Sequence, residues 1–341
     1  MKNQVCLVPQ LSGLGGMVSF QARMIAGLNT RGIPHTFDIT SPENAAILVI
    51  GGTRHLWQLW GAKRRGVRII QRLNGMNWIH RLERTAPRAY LRAEINNHIL
   101  AFIRRYLADR IVYQSQFSQD WWDKVFGPRT IPHQVTYNGV DLKQFSPNGP
   151  ETPPEDHFRI LLVEGHLVGI YARGLETAIK LASQVKASCE QPLELMVVGE
   201  VNDRLKAHAH TLAPELWITW RGVVPREDIP AIDRSAHLLF STDLNAACPN
   251  SVIEALACGT PVLAYDTGAL GELVQDGAGE VVPYGADHWQ LEDPLIQPLA
   301  EACLTILQDN PAYRVRARAR AEAAFGLDMM IAGYLDALRV L

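Results

Sequence analysis

Residues 249–265 read PNSVIEALACGTPVLAY, and this stretch decides the fold because it predicts a helix and a strand with almost no loop between them. Pro249 is suited to the first turn of a helix, and Cys258-Gly259 supplies the stop. The apolar run Val262-Leu263-Ala264 then predicts a short buried strand. One carboxylate, Glu254, stands within the otherwise apolar helix.

The beginning of this helix has the properties of an anion site. Free backbone N–H groups and the positive end of the helix dipole favour phosphate there. A carboxylate one turn further on, at Glu254, can accept hydrogen bonds from sugar hydroxyls beside that phosphate. The alternative is a solvated glutamate that interacts only with the helix dipole. This segment by itself leaves both interpretations open.

On both sides of the segment, short apolar runs alternate with amphipathic stretches, which predicts the βαβ succession of parallel sheets. A polar, proline-rich stretch at 146–157, SPNGPETPPEDH, interrupts the succession and indicates a linker. We predict two doubly wound α/β domains, at 1–147 and 158–326, joined by a linker at 148–157, with a C-terminal helix at 327–341 that packs back on the first domain. Two such domains facing each other form a cleft at the carboxyl ends of their strands.

Composition and charge narrow the class of protein. The chain has 341 residues with 47% hydrophobic content, enough for two domains with their own cores. Residues 1–150 carry 19 Lys+Arg against 8 Asp+Glu, whereas residues 151–341 carry 14 against 27. The basic half indicates an anionic partner such as a phospholipid surface, a lipid diphosphate or an acidic glycan, and the acidic half argues against nucleic acid. A solvated basic surface is the alternative.

Cysteine usage and hydropathy bear on the compartment. Five scattered cysteines in mostly apolar surroundings suggest neither a disulfide framework nor a zinc cluster. No stretch approaches about 18 uninterrupted apolar residues, and no apolar segment of signal-peptide length stands at the N-terminus. We expect a cytoplasmic protein, with peripheral attachment at the inner face of a membrane as a further possibility.

Segment 54–92 interleaves tryptophans with basic residues, which suits contact with a membrane or an anionic acceptor. The residues concerned are Trp57, Trp60 and Trp78 with Arg54, Lys63, Arg64, Arg65, Arg68, Arg81, Arg84, Arg88 and Arg92. Core tryptophans beside a solvated basic face would give the same pattern. We favour the interface because the positive charge is confined to this half of the chain.

Two loops carry residues suited to phosphate. LSGLGGMVSF at 11–20 is a glycine-rich turn between a strand and a helix, where the backbone can approach a phosphate or a sugar closely. It lacks the full GxGxxG spacing, so a merely tight turn is equally consistent. HLVGIYARGLETAI at 166–179 places His166 and Arg173 just before a helix, where they could clamp a diphosphate. An arginine in solvent is the alternative there.

Five motifs occur in the order and spacing of retaining glycosyltransferases of family 4, and the chain resembles that family over nearly its whole length. The motifs are LSGLGG, ADRIVYQSQFS, TYNGVDLKQFSP, GVVPREDIP and PNSVIEALACGTPVLAYDTGALGELV. The resemblance implies the GT-B fold, with two Rossmann-like domains facing a central cleft. It also implies a nucleotide-sugar donor held mainly by the second domain, an acceptor held mainly by the first, and no metal or other cofactor.

The resemblance assigns roles residue by residue. Glu254 resembles the glutamate that binds the donor ribose, and Arg173 resembles the basic residue on the diphosphate. Gly222-Val223 lies where the family shapes the nucleobase pocket. The candidate catalytic residues are Arg173, His166 and Asn74, and the candidate donor-binding residues are Gly15, Gly16, Gly222, Val223, Asn250, Ser251 and Glu254.

Four positions depart from the family pattern. Ala246 stands eight residues before Glu254, where relatives usually carry a glutamate that contacts the transferred sugar. Pro249 replaces a common glycine and removes one backbone N–H. His166 stands where an arginine is usual, and Asn74 stands where many relatives have histidine. These departures put the contacts to the sugar in doubt more than the contacts to the nucleotide.

The leading hypothesis is transfer of a sugar from a nucleotide diphosphate sugar to a hydroxyl of a glycan or lipid-linked glycan, with retention at the anomeric carbon. In the family scheme the leaving phosphate accepts the acceptor proton, so electrostatic stabilisation of the diphosphate is the main catalytic effect. A second hypothesis is a binding subunit that holds a nucleotide sugar or a glycan without transferring it. A third is an epimerase or hydrolase on the same scaffold.

Overall fold

The computed structural model of the protein describes residues 3–13, 15–82, 86–167 and 171–339. The chain divides into two compact units, one comprising Met1–Gly139 and Leu327–Leu341, the other Val140–Gly326. Both contain a six-stranded, wholly parallel sheet with helices on its faces, which confirms the predicted α/β class and the Rossmann-like architecture.

The first unit has the strand order β2-β1-β3-β4-β5-β6. Its strands are β1 (Gln4–Val8), β2 (His35–Thr36), β3 (Asn44–Ile50), β4 (Arg68–Leu73), β5 (Arg110–Tyr113) and β6 (His133–Val135). Its helices are α1 (Gly16–Thr30), α2 (Leu56–Arg64), α3 (Pro87–Phe102), which continues into a π-helical turn at Ile103–Leu107, α4 (Gln116–Phe126) and the C-terminal helix Leu327–Leu338. The order reverses between β1 and β3, so the loops that follow these two strands border a switch point, the usual ligand position in such sheets.

Alternate residues of β1 build two different cores. Val5 and Leu7 pack with α1 and the C-terminal helix, whereas Cys6 and Val8 pack with α2 on the opposite face. A strand buried on both faces therefore reads as an unbroken apolar run. Gly27 of α1 makes room for the C-terminal helix, because a Cβ at Gly27 would stand 2.5 Å from Ile331 Cδ1.

The NGVD turn is held by a buried polar network in the first unit. Asn138 Oδ1 accepts hydrogen bonds from Arg72 at 3.0 Å and from Gln114 at 2.9 Å. The guanidinium of Arg72 also lies 4.0 Å from the centre of the Phe20 ring. These contacts fix the ends of β4 and β5 to the segment that leaves the unit.

The second unit has the strand order β12-β11-β10-β7-β8-β9. Its strands are β7 (Phe158–His166), β8 (Leu193–Glu200), β9 (Trp217–Gly222), β10 (Leu238–Ser241), β11 (Val262–Tyr265) and β12 (Gly279–Val282). Its helices are α5 (Ala172–Ser188), α6 (Asp203–Leu212), α7 (Ile229–Arg234), α8 (Asn250–Ala257), α9 (Leu270–Leu273), α10 (Gln297–Gln308) and α11 (Asn310–Ala324). The order reverses between β7 and β10, which places a switch point between these two strands.

The unit boundary in the structure differs from the predicted linker. The second unit begins at Val140, so the proline-rich stretch at 148–157 lies inside it. Glu151 pairs with the buried Arg234 at 3.0 Å, and Arg234 also donates to the Ser146 carbonyl at 3.2 Å. The proline-rich segment is therefore attached to the second unit at two points, Ser146 and Glu151, through the side chain of Arg234.

Within the described residues, no helix is both long enough and apolar enough to cross a bilayer. The five cysteines are all free.

Candidate functional site

The β10–α8 loop approaches the second unit's switch point and is fixed by the loop that follows β11. Gly268 has a φ of 61°, and a Cβ there would stand 2.6 Å from both N and O of Ala246. Ala269 N–H donates to the Ala246 carbonyl at 2.8 Å. Only a glycine permits this approach, because a side chain would meet backbone atoms. The position of Ala246, and with it the start of α8, is thereby set.

Helix α8 begins at Asn250 after an extended Pro249. The first turn of α8 holds no acidic residue, and the Pro249 side chain does not cap it. Because Asn250 and Ser251 are the first two residues of the helix, their backbone N–H groups lie at the positive end of the helix dipole. This places both predicted donor-binding residues at the carboxyl-end side of the sheet, where the β10–α8 loop ends.

Glu254 lies one turn into α8 and is buried, with 9% of the residue exposed. Its Oε1 stands 3.6 Å from a guanidinium nitrogen of Arg226. Asp233, on α7, is buried near Glu254. Its burial, and then the charge of the Glu254 carboxylate, raise the pKa of Asp233 well above 3.8. Glu254 is therefore not a solvated residue of a surface helix, and that alternative is wrong.

Arg173 is the second residue of α5 and is half-exposed. It donates to the Leu291 carbonyl at 2.6 Å and lies 3.5 Å from the Asp293 carboxylate. The next residue, Gly174, allows α5 to approach the end of β10, because a Cβ there would lie 2.7 Å from the Thr242 side chain. Arg173 is thus held beside the switch point by contacts to the loop at 291–293, so the alternative of an arginine that contacts only solvent does not describe it.

A small pocket that is open to solvent adjoins Arg173. Lys180, Tyr265 and Tyr284 line it as well. Among the residues that the structure describes, its lining includes Arg173 and neither Ser251 nor Glu254. The side chain of His166, the other predicted diphosphate ligand, lies outside the described part of the chain.

Gly222 and Val223 border a second pocket, also open to solvent, at the carboxyl ends of β8 and β9. Gly222 has a φ of 67°, and Val223 is exposed. The remaining lining residues are Gly199, Glu200, Val201, Lys206 and Trp220. The predicted nucleobase residues therefore do line a concave space with an aromatic ring, one carboxylate and one amine.

A pair of carboxyl groups at the switch point was missed by the sequence analysis. Glu164 is near the end of β7, and Asp243 follows β10, the neighbouring strand. Burial raises the pKa of Asp243 from 3.8 to about 6. Burial, and then the Asp243 charge, raise the pKa of Glu164 well above 4.5. The available signal was Glu164 itself, a carboxylate inside the apolar strand RILLVEGH.

Buried polar groups flank Asp243 in the same loop. Ser241 Oγ and both amide atoms of Asn245 have no hydrogen-bond partner among the described residues. Asn245 also has a φ of 56°, in the left-handed region. Polar groups left in this state are uncommon in folded proteins and concentrate at functional sites.

The candidate residues of the first unit meet at its own switch point. Gly15 precedes α1 with a φ of 124°, and Gly16 is the first residue of the helix. A Cβ at Gly51, which follows β3, would stand 3.6 Å from Met17 Sδ and 3.9 Å from Asn74 Oδ1. The Asn74 amide, the end of β3 and the start of α1 therefore lie together, as a loop that receives a ligand requires.

The basic-aromatic segment presents two of its tryptophans to solvent. Trp57 is 82% exposed and Trp60 is 45% exposed, and their rings meet edge-on at 5.9 Å. The Arg64 guanidinium lies 4.8 Å from the centre of the Trp60 ring. The alternative that these two tryptophans belong to the core is wrong.

Comparison with known proteins supplies the family. Residues 153–323 match the model of the family described as glycosyl transferases group 1. A curated relative from Mycobacterium tuberculosis, a GDP-mannose-dependent alpha-(1-6)-phosphatidylinositol dimannoside mannosyltransferase, is 26% identical over 220 residues, which cover 63% of this chain and 53% of the relative. A lipopolysaccharide core biosynthesis mannosyltransferase from Rhizobium leguminosarum is 28% identical over 196 residues, 54% of each chain. The chain thus spans about half the length of the curated relatives it matches.

Solved structures resemble the chain over nearly its whole length. A glycosyltransferase from Rickettsia africae has a TM-score of 0.71 at 14% identity, covering 99% of this chain and 98% of that one. Anabaena Alr3699/HepE, solved in complex with UDP-glucose, has a TM-score of 0.71 at 17% identity, covering 99% and 100%. At these identities the likeness establishes the fold.

Proposed function

The chain belongs to the glycosyl transferases group 1 family, and on that premise we propose that it transfers a sugar from a nucleotide diphosphate sugar to a hydroxyl of a glycan or lipid-linked glycan. The observation that carries the proposal is Glu254, a buried carboxylate one turn inside a helix whose N-terminus faces the carboxyl-end side of the sheet. A buried carboxylate at that place accepts hydrogen bonds from hydroxyls while the helix N-terminus binds the adjoining phosphate.

The donor is proposed to lie along the second unit. Glu254 binds the ribose, the amides of Asn250 and Ser251 bind phosphate, and the pocket at Gly222-Val223 receives the nucleobase. In a sheet of this order the nucleoside lies over the strands on one side of the switch point, which here are β8 and β9.

Arg173 and His166 are proposed to stabilise the negative charge that develops on the departing diphosphate. Gly15 and Gly16 are proposed to form a loop of the first unit that can approach a phosphate or a sugar closely. A fixed cation at such a position is worth about 10²–10³ in kcat. We propose that the anomeric configuration is retained and that neither a metal nor another cofactor takes part, the leaving phosphate accepting the acceptor proton. The anomer formed, read by proton NMR, and turnover in EDTA test these two points.

The experiment that tests the function is incubation with UDP-, GDP- and ADP-sugars with and without glycan acceptors. Acceptor-dependent release of nucleotide supports transfer. Arg173→Ala is expected to depress turnover by about 10²-fold with little change in thermal unfolding, whereas Arg204→Ala, an exposed arginine of the same unit, is the matched control. Wild-type turnover in Arg173→Ala would remove the assignment.

A second candidate function, a subunit that binds a nucleotide sugar or a glycan without transferring it, is favoured by Ala246. Ala246 carries only a methyl group at the position where relatives usually have a sugar-binding glutamate. Its backbone is packed against Gly268. Nucleotide-induced stabilisation without turnover of any sugar would support this candidate. A C2-epimerised sugar would instead support the epimerase.

The acceptor side is proposed to include an anionic membrane surface. Trp57 and Trp60 are exposed on α2, beside the basic residues Arg54, Arg64 and Arg65. Exposed aromatic rings bordered by arginine suit the headgroup region of anionic lipid. The proposed location is the cytoplasm, at the inner face of the membrane.

Sedimentation with vesicles tests the membrane proposal. Binding is expected to rise with the fraction of anionic lipid and to fall with salt. Trp57→Ala combined with Trp60→Ala should weaken it, whereas Trp217→Ala, another exposed tryptophan but in the second unit, should leave it unchanged. Equal binding to neutral and anionic vesicles would remove the membrane surface from the list of partners.

A further inference from the structure

Arg226 occupies a position between two parts of the proposed donor site. It begins the 3-10 turn Arg226–Asp228, which follows the loop that leaves β9 at Gly222. Its side chain is 43% exposed, yet one guanidinium nitrogen stands 3.6 Å from Oε1 of Glu254, whose side chain is only 12% exposed. A cation from the loop beside the nucleobase pocket therefore contacts the buried carboxylate of α8.

The contact between Arg226 and Glu254 is an ion pair and not a hydrogen bond. At 3.6 Å the nitrogen and oxygen are farther apart than the roughly 2.7–3.2 Å of an N–H···O hydrogen bond. An ion pair at this separation attracts the carboxylate without requiring one alignment of its lone pairs. Such a carboxylate can be held in place and still accept hydrogen bonds from hydroxyl groups.

Two further charged residues, Asp233 and Arg234, belong to the surroundings of Glu254. Asp233 of α7 lies near Glu254, and burial and then the Glu254 charge raise the pKa of Asp233 and so favour its protonated form. Arg234, the neighbouring cation, pairs with Glu151 at 3.0 Å, and its charge opposes the rise in the pKa of Asp233. The Arg226 side chain is 43% exposed and the Arg234 side chain only 9%, so Arg226 is the more accessible of these two cations.

We propose that Arg226 is a positioning residue for the donor nucleoside, which holds the Glu254 carboxylate toward the ribose hydroxyls and ties it to the loop of the nucleobase pocket. The inference rests on the proposed function, because it takes Glu254 as the ribose ligand. Holding the carboxylate in place before the donor arrives removes part of the ordering cost of binding. Loss of Arg226 therefore weakens the recognition of ribose hydroxyls and not the recognition of phosphate.

The test compares nucleotides with and without the 2′-hydroxyl. Dissociation constants are measured by titration calorimetry for GDP, UDP, 2′-deoxy-GDP and 2′-deoxy-UDP with wild type, Arg226→Ala, Arg226→Lys and Glu254→Ala. A hydrogen bond to a charged group corresponds to about tenfold in affinity, so wild type should prefer the ribonucleotide it accepts by about that factor. In Arg226→Ala the preference should shrink toward one, and Arg226→Lys should restore part of it.

The matched control is Arg204→Ala, which removes an exposed arginine of helix α6 in the same unit and should keep the full preference. A merely structural role of Arg226 would weaken both forms equally and leave the ratio unchanged, and that result would overturn the inference. Should Arg226→Ala fail to fold, Arg226→Gln keeps a polar side chain of similar reach and is read in the same way.

Failure of the inference is distinguishable from failure of the proposed function. If Glu254→Ala abolishes the preference while Arg226→Ala retains it, Glu254 stands as the ribose ligand and the inference about Arg226 is wrong. If wild type itself shows no preference and Glu254→Ala binds as wild type does, the donor site proposed at Glu254 is wrong, and the inference falls with it.

Discussion

Replacing Asp243 by Asn should stabilise the second unit at neutral pH. Asp243 follows β10 and lies close to Glu164 of β7 at the switch point. Burial disfavours the charged form of a carboxyl group, and a nearby like charge disfavours it further. Asn has nearly the same shape and no charge, so Asp243→Asn removes the cost of ionising a half-buried group while it leaves the packing in place.

The magnitude follows from the pKa. A rise from 3.8 in the unfolded chain to about 6 in the folded protein corresponds to about 3 kcal/mol once both states are ionised. Because the folded pKa is the higher one, the folded protein binds more protons between about pH 4 and pH 6, and the free energy of unfolding falls as pH rises through that window. The advantage of Asp243→Asn should be complete above the window and absent below it.

Urea denaturation of wild type and Asp243→Asn at pH 7.5 and pH 4 measures this difference, and general effects of pH cancel in the comparison. Glu215→Gln, at an exposed acid of the same unit, is the control and should change little at either pH. Adding Glu164→Gln to Asp243→Asn should bring less than the sum of the single effects, because each removes the repulsion felt by the other. An advantage of equal size at both values of pH, or none at pH 7.5, would refute the reasoning.

Three further substitutions test contacts that place the candidate residues. In Gly268→Ala the new Cβ would stand 2.6 Å from the backbone of Ala246. This variant should lower the stability of the second unit by about 1–3 kcal/mol and weaken nucleotide binding in titrations. Normal binding would show that this loop does not position the site. Asn138→Ala strands two buried donors and should cost about 2 kcal/mol or more by urea denaturation, and a neutral effect would mean that the network is not needed. Trp122→Phe removes the 2.7 Å hydrogen bond that the indole N–H donates to the Asn74 carbonyl. The free energy of unfolding, measured by thermal denaturation, should fall by about 1 kcal/mol, and unchanged stability would contradict this.

Some features of the fold could be predicted because the signals are local. The helix-to-strand unit around Glu254 forms α8 and β11, and the stop at Cys258-Gly259 is where the helix ends, with Gly259 at a φ of 71°. Short apolar runs predicted the strands of parallel sheets, and β1 forms at one of these runs. Each of these signals depends on residues within one or two turns of one another.

The linker shows where local signals mislead. Proline and polar residues at 148–157 have the composition of a flexible connection, but their place in the second unit is set by Arg234, a residue far along the chain. Composition reports the preference of a segment alone and carries no information on the ion pair and the hydrogen bond that Arg234 makes with residues 146 and 151.

For the candidate site, the sequence by itself determined which residue types stand at the starts of α1, α5 and α8, and so indicated Gly15, Arg173, Asn250 and Glu254 as candidates. Only the tertiary structure decided that Glu254 is buried and meets Arg226, that Arg173 is anchored by the Leu291 carbonyl, and that two carboxyl groups share the switch point. The physical reason is that helix starts and glycine turns follow from short-range backbone preferences, whereas burial, pairing and pKa depend on which strands become neighbours.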